Sequence, residues 1–391
     1  MSKSIPYGRQ SISNDDIDEV RDVLNSDFLT QGPRVPIFEN NVAKYCNAKY
    51  AVATNSATSS LHSACVALGV SANDIVWTSA NTFVASSNCA LYCGADVDFV
   101  DIDLNTFNMC PIKLEEKLIV AKKKNKLPKV VIPVHMCGQS CDMKKIYMLS
   151  KNFGFKIIED ASHGIGGSYN GFKIGSCKYS DITVFSFHPV KIITSGEGGM
   201  SLTNNKKLAN KLQMHRTHGI TRNPEMLKNK DQGLWYYEEL ELGFNYRMTE
   251  ISAALGNSQL NRLDSFVEKR HEIAKKYDQD LSDLPLDLPF QLPNNYSSYH
   301  LYVIRLQIEN IEITHQDFFK NMRSEGIGIN LHYIPVYKHP YYKSLGFKDY
   351  ICENAERYYK TAVSIPIYPE LSIPEQDYVI EKISDNLARR N

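Results

Sequence analysis

DITVFSFHPVKIITSGEGGMSLT (181–203) opens on a near-continuous apolar run and closes in a glycine-rich turn. A short run with no polar alternation reads as a strand buried on both faces, the kind found in parallel sheets. The run ends at Phe187. His188 and Pro189 break it, and Lys191 follows in a loop that closes with Gly196, Gly198 and Gly199. An amine beside an apolar strand end is poorly solvated. Desolvation lowers its pKa and leaves it a nucleophile for Schiff-base chemistry. Taken alone, a solvated loop lysine is the commoner fate of such a residue.

Upstream, the same kind of run recurs: YAVAT (50–54), DIVWTS (74–79), VDFVDI (97–102), KVVIPVH (129–135) and FKIIED (155–160). Helical stretches at 59–68 and 142–153 separate some of them. Strands alternating with helices predict an α/β fold, with a mostly parallel sheet covered on both faces. Ligands of such sheets bind beyond the carboxyl ends of the strands. Ser13 is placed to cap a first helix with Ile17, Val20 and Leu24 on its apolar face. SDFLTQGPRVP (26–36) reads as a loop because Gly32 is followed by two prolines, Pro33 and Pro36. Past Gly199 the pattern turns helical, with an apolar face at Ile251, Leu255 and Leu260 and a long helix over 266–281. A strand at 299–307, a helix capped near Thr314, a strand near 327–333 and a final helix follow. Ser372 and Glu375 are spaced to form a capping box for that final helix, and Val379, Ile383 and Leu387 line one side of it. The division expected is a large unit over 1–260 and a smaller C-terminal α/β unit over 261–391.

The 391 residues carry 44 Lys+Arg against 44 Asp+Glu. That balance argues against a broad electrostatic surface for nucleic acid or an acidic membrane. Nine cysteines in no tight framework suit a reducing compartment. Cys89/Cys93 and Cys137/Cys141 are C-x3-C pairs without the second half of a zinc site, so no metal is expected. MSKSIPYGRQ has no apolar core for a signal peptide, and no uncharged apolar run approaches about 18 residues. The expected location is the cytoplasm.

Two further segments complete a chemical set with Lys191. In TNSATSSLHSACVALG (54–69) a strand end meets a helix start lined by Ser56, Ala57 and Thr58. Free N–H groups there suit a phosphate, although simple N-capping uses the same residues. In KIIEDASHGIGG (156–167), Asp160 sits where a buried strand meets a loop. A carboxylate there needs a partner, and a pyridinium nitrogen is one; a capping Asp is the plain alternative. His163 follows it, near a ring oxygen or simply packed in the loop. Phe83, in TSANTFVASSN (78–88), either stacks on a cofactor ring or packs in the core. Phosphate cradle, pyridinium partner and amine are the three handles of pyridoxal 5'-phosphate.

NSATSSL, TFVAS, EDASH, FSFHPVKIITSGEGG and LGFNYRM, in this order, resemble the sugar aminotransferases of the DegT/DnrJ/EryC1/StrS family. The resemblance runs over nearly the whole chain. It implies the fold type I architecture of pyridoxal-phosphate aminotransferases. IPYGRQSIS, SDFLTQGP, FSFHPVK and LHYIPVYKHPYY (331–342) look closest to the 4-aminotransferases of the pseudaminic-acid pathway. By this resemblance, Lys191 forms the Schiff base and moves protons, Asp160 pairs with the pyridine nitrogen and Phe83 stacks on the ring. Ser56, Ala57, Thr58 and Ser186 hold the phosphate, and His163 sits near the phenolic oxygen. Asn245 reaches the phosphate or substrate from a neighbouring subunit, which implies a homodimer with shared sites. Tyr7, Phe28, Leu29, Thr30, Leu331, His332, Tyr333 and Ile334 line a nucleotide-sugar pocket, with Ser56, Ser186 and Asn245 also at the substrate. The implied reaction moves an amino group from L-glutamate to C4 of a UDP-linked 4-keto-6-deoxy-N-acetylhexosamine. A GDP- or dTDP-linked 4-keto or 3-keto sugar is the nearest alternative, and an inactive sugar-nucleotide-binding regulator a remote one. His163 stands where many relatives carry glutamine, and Cys137 where a small residue is expected.

Overall fold

The computed structural model describes residues 4–229 and 232–388. Its main sheet has seven strands: β1 (Tyr50–Thr54), β2 (Ile75–Ser79), β3 (Asp96–Val100), β4 (Val130–Ile132), β5 (Lys156–Asp160), β6 (Ile182–Ser186) and β7 (Gly199–Thr203). Their order is β1-β7-β6-β5-β4-β2-β3. Neighbours from β3 to β6 run parallel, and β7 alone lies antiparallel to both of its neighbours. The six apolar runs read from the sequence each contain one strand. β7 is the strand that reading lacks, and it forms where the glycine-rich loop doubles the chain back onto β6. Every residue of β4, β6 and β7 is buried, so these strands are covered on both faces.

The first helix, α1 (Asn14–Leu24), begins as the sequence indicates. Asp16 N–H donates to Ser13 Oγ (3.4 Å), and Ser13 N–H donates to Asp16 Oδ2 (2.9 Å). Its apolar face does not behave as expected. Ile17 and Leu24 are 54% and 57% exposed, while Asp16 and Val23 point inward. The reason is polar. Asp16 accepts hydrogen bonds from Ser258 Oγ (2.6 Å) and Gln259 Nε2 (2.7 Å) and pairs with Arg262. The helix Glu250–Leu260 that supplies two of these partners also departs from its apolar reading. Ala253, Ala254, Gly256, Ser258 and Gln259 are buried there, and Ile251, Leu255 and Leu260 are only partly covered. A Cβ on Gly256 would lie 2.7 Å from the Phe38 ring, so the close crossing with α2 (Arg34–Cys46) requires glycine. Arg34, inside the stretch read as loop, starts α2. No local side chain caps it. The buried Glu250 does so from far along the chain, accepting from Arg34 N–H (2.6 Å) and Val35 N–H (3.3 Å).

A three-stranded antiparallel sheet of Leu286–Asp287, Tyr302–Leu306 and Ala362–Ile365 supports the C-terminal part. The strand expected near 327–333 is reduced to two bridges, Ile5 with Ile327 and Asn330 with Ser364. The N-terminal stretch occupies that edge instead, with Gly328 N–H donating to Ile5 O (2.6 Å). The helices His315–Ser324 and Ile373–Ala388 follow Thr314 and the reciprocal Ser372–Glu375 pair, as read. Helix Leu263–Asp280 joins two cores. Phe266 and Val267 pack with residues around β6, while Ile273, Ala274 and Tyr277 pack around the small sheet. Among the described residues no helix is long and apolar enough to cross a membrane, and no group of three or more His, Cys, Asp or Glu is placed to hold a metal ion.

Candidate active site

A cavity of about 860 Å³ opens at the carboxyl ends of the parallel strands. That is where an open α/β sheet offers a site. Its floor and walls come from Ser56, Ala57 and Thr58 after β1, Asp160 at the end of β5 and His163 after it, and Ser186 at the end of β6 and Lys191 after it. Phe83 stands after β2 with its ring 57% exposed to this space rather than in the core.

Lys191 is placed by a folded-back loop. Phe187 N–H donates to Gly198 O (2.9 Å), Ser195 N–H to Phe187 O (3.0 Å) and Lys191 N–H to His188 O (2.9 Å). Ile192 and Ile193 are buried and pin the loop next to the lysine. Burial pushes the Lys191 amine down to about 8, and the Asp160 carboxylate partly opposes that shift. About a tenth of the amine is therefore uncharged at pH 7, far more than of a solvated lysine.

Asp160 is 5% exposed. Its Oδ1 accepts from Ser162 N–H (3.1 Å) and Ser162 Oγ (2.6 Å), and its Oδ2 from Ser86 Oγ (2.6 Å). Hydroxyl and amide donors hold the carboxylate on two sides, and among the described residues no cation forms an ion pair with it, which suits a cationic ring nitrogen.

At the start of α3 (Ala57–Ala67), Ser59 N–H donates to Ser56 Oγ (3.2 Å), so Ser56 does serve as N-cap. The N–H groups of Ala57 and Thr58 have no acceptor among the described residues. A Cβ on Gly199 would come within 2.4–2.5 Å of the Ser56 and Ala57 backbone. Only glycine lets β7 lie this close to the helix start, and the cradle is shaped by that approach.

The far wall is aromatic. Tyr7 and His332 have ring centroids 5.1 Å apart, Phe83 and Tyr333 5.9 Å, and His163 and His300 4.3 Å. Tyr333 OH lies 3.3 Å from His163 Nε2, and Tyr333 N–H donates to Asn81 Oδ1 (2.9 Å). Burial holds His163 and His300 well below the usual histidine range and His332 at about 3, so all three rings are neutral. Burial likewise raises the Tyr7 and Tyr333 hydroxyls, which stay protonated.

Residues 10–384 match the model of the DegT/DnrJ/EryC1/StrS aminotransferase family. The chain belongs to that family. A relative from Bacillus subtilis, the spore coat polysaccharide biosynthesis protein SpsC, is 38% identical over 384 residues, 97% of this chain and 96% of its own. The UDP-4-amino-4,6-dideoxy-N-acetyl-beta-L-altrosamine transaminase of Campylobacter jejuni is 37% identical over 386 residues, covering 98% of each chain. Among solved structures, Helicobacter pylori PseC, an aminotransferase involved in pseudaminic acid biosynthesis, superposes with a TM-score of 0.90. Its identity is 29%, over 98% of this chain and 99% of that one.

DegT/DnrJ/EryC1/StrS aminotransferases are pyridoxal-phosphate enzymes, so the protein is a sugar aminotransferase of that kind. The cavity fits the cofactor. Its cradle of unsatisfied N–H groups suits the phosphate, its carboxylate the ring nitrogen and its desolvated amine the aldehyde.

The remaining predicted residues divide. Tyr7, Leu331, His332 and Tyr333 line the cavity. Phe28, Leu29, Thr30, Asn245 and Ile334 do not. Phe28 and Leu29 are 53% and 48% exposed, because the segment is tied outward by the Thr30–Thr249 bridge and by Glu250 N–H to Leu29 O (2.9 Å). Asn245 is exposed, its strand-like segment pinned between Thr217 and Asn55. Ile334 is 39% exposed. The sequence reading missed Ser86, Ser162 and His300. Ser162 stands two residues after Asp160 and Ser86 three after Phe83, so proximity was a usable signal for both. Nothing near His300 in the sequence marks it.

Proposed function

We propose that the enzyme takes an amino group from L-glutamate and delivers it to C4 of a UDP-linked 4-keto-6-deoxy-N-acetylhexosamine. The observation that carries the amino-transfer chemistry is Lys191, an amine lowered to about 8 in the wall of a cavity it shares with Asp160. Pyridoxal phosphate, when bound, would supply the electron sink that makes the C–H of the amine-bearing carbon acidic. Asp160 keeps the ring nitrogen protonated, fixed in place by Ser86 and Ser162. Ala57 and Thr58 N–H, with the Ser56 and Ser186 hydroxyls, hold the phosphate. Phe83 would cover one face of the ring, and His163 would offer a neutral donor to its oxygen. The Lys191 amine would move protons at the reacting carbon as the general base and acid.

The sugar end is read from the aromatic wall. Tyr7, Leu331, His332 and Tyr333 present neutral rings and hydroxyls to a hexose, and the relative from Campylobacter jejuni carries the name of a UDP-linked 4-amino sugar transaminase. Residues 28–30, Ile334 and Asn245 stay outside the cavity of a single chain. In this reading Asn245 of one copy completes the cavity of a second, in a cytoplasmic homodimer. The exposed Ile17, Leu24, Phe28 and Leu29 give that pairing an apolar face.

Turnover with UDP-, GDP- and dTDP-linked 4-keto-6-deoxy sugars, each with glutamate, tests the reading. The UDP N-acetylhexosamine is expected to react at least tenfold faster than the others. Turnover confined to GDP or dTDP sugars overturns the substrate while leaving the transferase chemistry in place.

A further inference from the structure

Arg270 lies in the middle of the helix Leu263–Asp280, 1% exposed, with no carboxylate paired to it among the described residues. A buried charge without a counter-charge persists only where hydrogen bonds replace its water. Arg270 has three. Nη1 donates to Tyr299 O (3.1 Å), His300 O (3.3 Å) and Ile367 O (2.9 Å). The guanidinium thus clamps the turn that enters the strand Tyr302–Leu306 to the chain leaving Ala362–Ile365.

That turn sits against His163. Ser298 Oγ donates to His163 O (2.6 Å) and Ser298 N–H to Gly138 O (3.1 Å), and Tyr299 holds a φ of +45°. A Cβ on Gly138 would lie 2.5 Å from Ser298 Oγ, so no larger residue at 138 permits the approach. The His300 ring then packs on the His163 ring, centroids 4.3 Å apart and planes 46° apart, with both residues about 95% buried.

The orientation of a functional imidazole is ordinarily fixed by a hydrogen bond at the nitrogen facing away from the chemistry. His163 lacks that bond. Its Nδ1 is buried with no partner among the described residues, and so is Nδ1 of His300. Only Nε2, toward Tyr333 OH, is engaged. The ring is therefore oriented by packing and by its backbone seat.

We propose that Arg270 and His300 are positioning residues that seat His163, Arg270 by clamping the 298–300 turn and His300 by stacking on the ring. The proposal deepens the function above and rests on it only for the placing of His163 beside the cofactor.

Two readouts test it. Histidine ¹⁵N resonances of the cofactor-free chain report the His163 ring directly, and the absorbance of the bound cofactor reports the effect on the site. His300→Ala and Arg270→Lys are expected to shift or broaden the His163 resonances and to shift the cofactor absorbance. They should lower kcat about tenfold with KM for the sugar little changed. His300→Phe, which keeps a ring in the stack, is expected to restore both signals. Where Arg270→Lys does not fold, the His300 pair decides. Unchanged His163 resonances in a folded His300→Ala chain overturn the proposal and make His300 a packing residue only. Moved resonances with an unmoved cofactor absorbance support the positioning and overturn the placing of His163 beside the cofactor.

Discussion

The wall of the cavity and its rim were built by different rules. The wall consists of residues at, or up to five positions beyond, the ends of buried strands: Asp160 and Ser186 close β5 and β6, and Ser56 and Lys191 follow β1 and β6. Their positions follow from the sheet, which fixes each strand end within its hydrogen-bonded register. The rim candidates Phe28–Thr30 and Asn245 hang on long-range ties to Thr249, Glu250, Thr217 and Asn55, and in one chain they face outward. A strand end delivers its residue to the site within one chain. A rim segment delivers its residue wherever another surface meets it.

The largest expected effect lies in the wall. Lys191→Ala is expected to cut turnover roughly ten-thousandfold and remove the absorbance of the attached cofactor; an unchanged spectrum would sink the assignment. The wild-type amine also has a pH signature. Burial brings it from 10.5 to about 8, so capture of added pyridoxal phosphate should accelerate with pH through a midpoint near 8. A midpoint near that of free lysine, about 10.4, would place Lys191 in solvent. The sign for stability is fixed by the same shift. Between pH 8 and 10.5 the unfolded chain keeps a proton that the folded chain has lost, so this group's contribution rises with pH across that window. Cofactor-free Lys191→Met should therefore melt above wild type at pH 7, with the advantage fading by pH 10.5.

The next effect tests whether the rim belongs to a second copy. Mixing inactive Lys191→Ala and Asn245→Ala chains should restore about a quarter of the sites when each dimer site takes Lys191 from one chain and Asn245 from the other. Activity that stays at the level of the separate variants would put Asn245 at the site of its own chain or at none.

How far each region was legible in the sequence follows the same division. The sheet was readable because strands buried on both faces must be apolar throughout, and the handles were readable because they follow those strands directly. β7 was hidden because Gly199–Thr203 carries only two large apolar residues, Met200 and Leu202, directly after a glycine-rich turn, and its Ser201 and Thr203 are buried by their neighbours. The faces of α1 and of the Glu250–Leu260 helix were misread for a related reason. An apolar stripe normally marks the buried side, but Asp16, Ser258 and Gln259 form a buried polar lock that turns the stripe outward. Such locks join residues some 240 positions apart, and no local pattern reveals them. The 327–333 segment failed as a strand because it makes only single bridges, to Ile5 in the N-terminal stretch and to Ser364.

Glu250 tests whether wall and rim are independent. It is fully buried, and its carboxylate caps α2 through Arg34 and Val35 N–H, with Leu29 and Thr30 held by the adjoining backbone. A carboxylate at a helix N-terminus gains from both the hydrogen bonds and the dipole. Glu250→Gln keeps the shape and one acceptor oxygen but points an NH2 at groups that are themselves donors. The expected loss is about 1–3 kcal/mol of stability, measured by denaturant unfolding. Because β5, β6 and the Lys191 loop make no use of that cap, the cofactor absorbance should stay where it is in wild type. The sugar KM should rise if residues 28–30 contribute to the pocket of an assembled dimer. A shifted absorbance would mean that α2 transmits its placement to the strand ends, and the wall could then no longer be treated as set by the sheet alone.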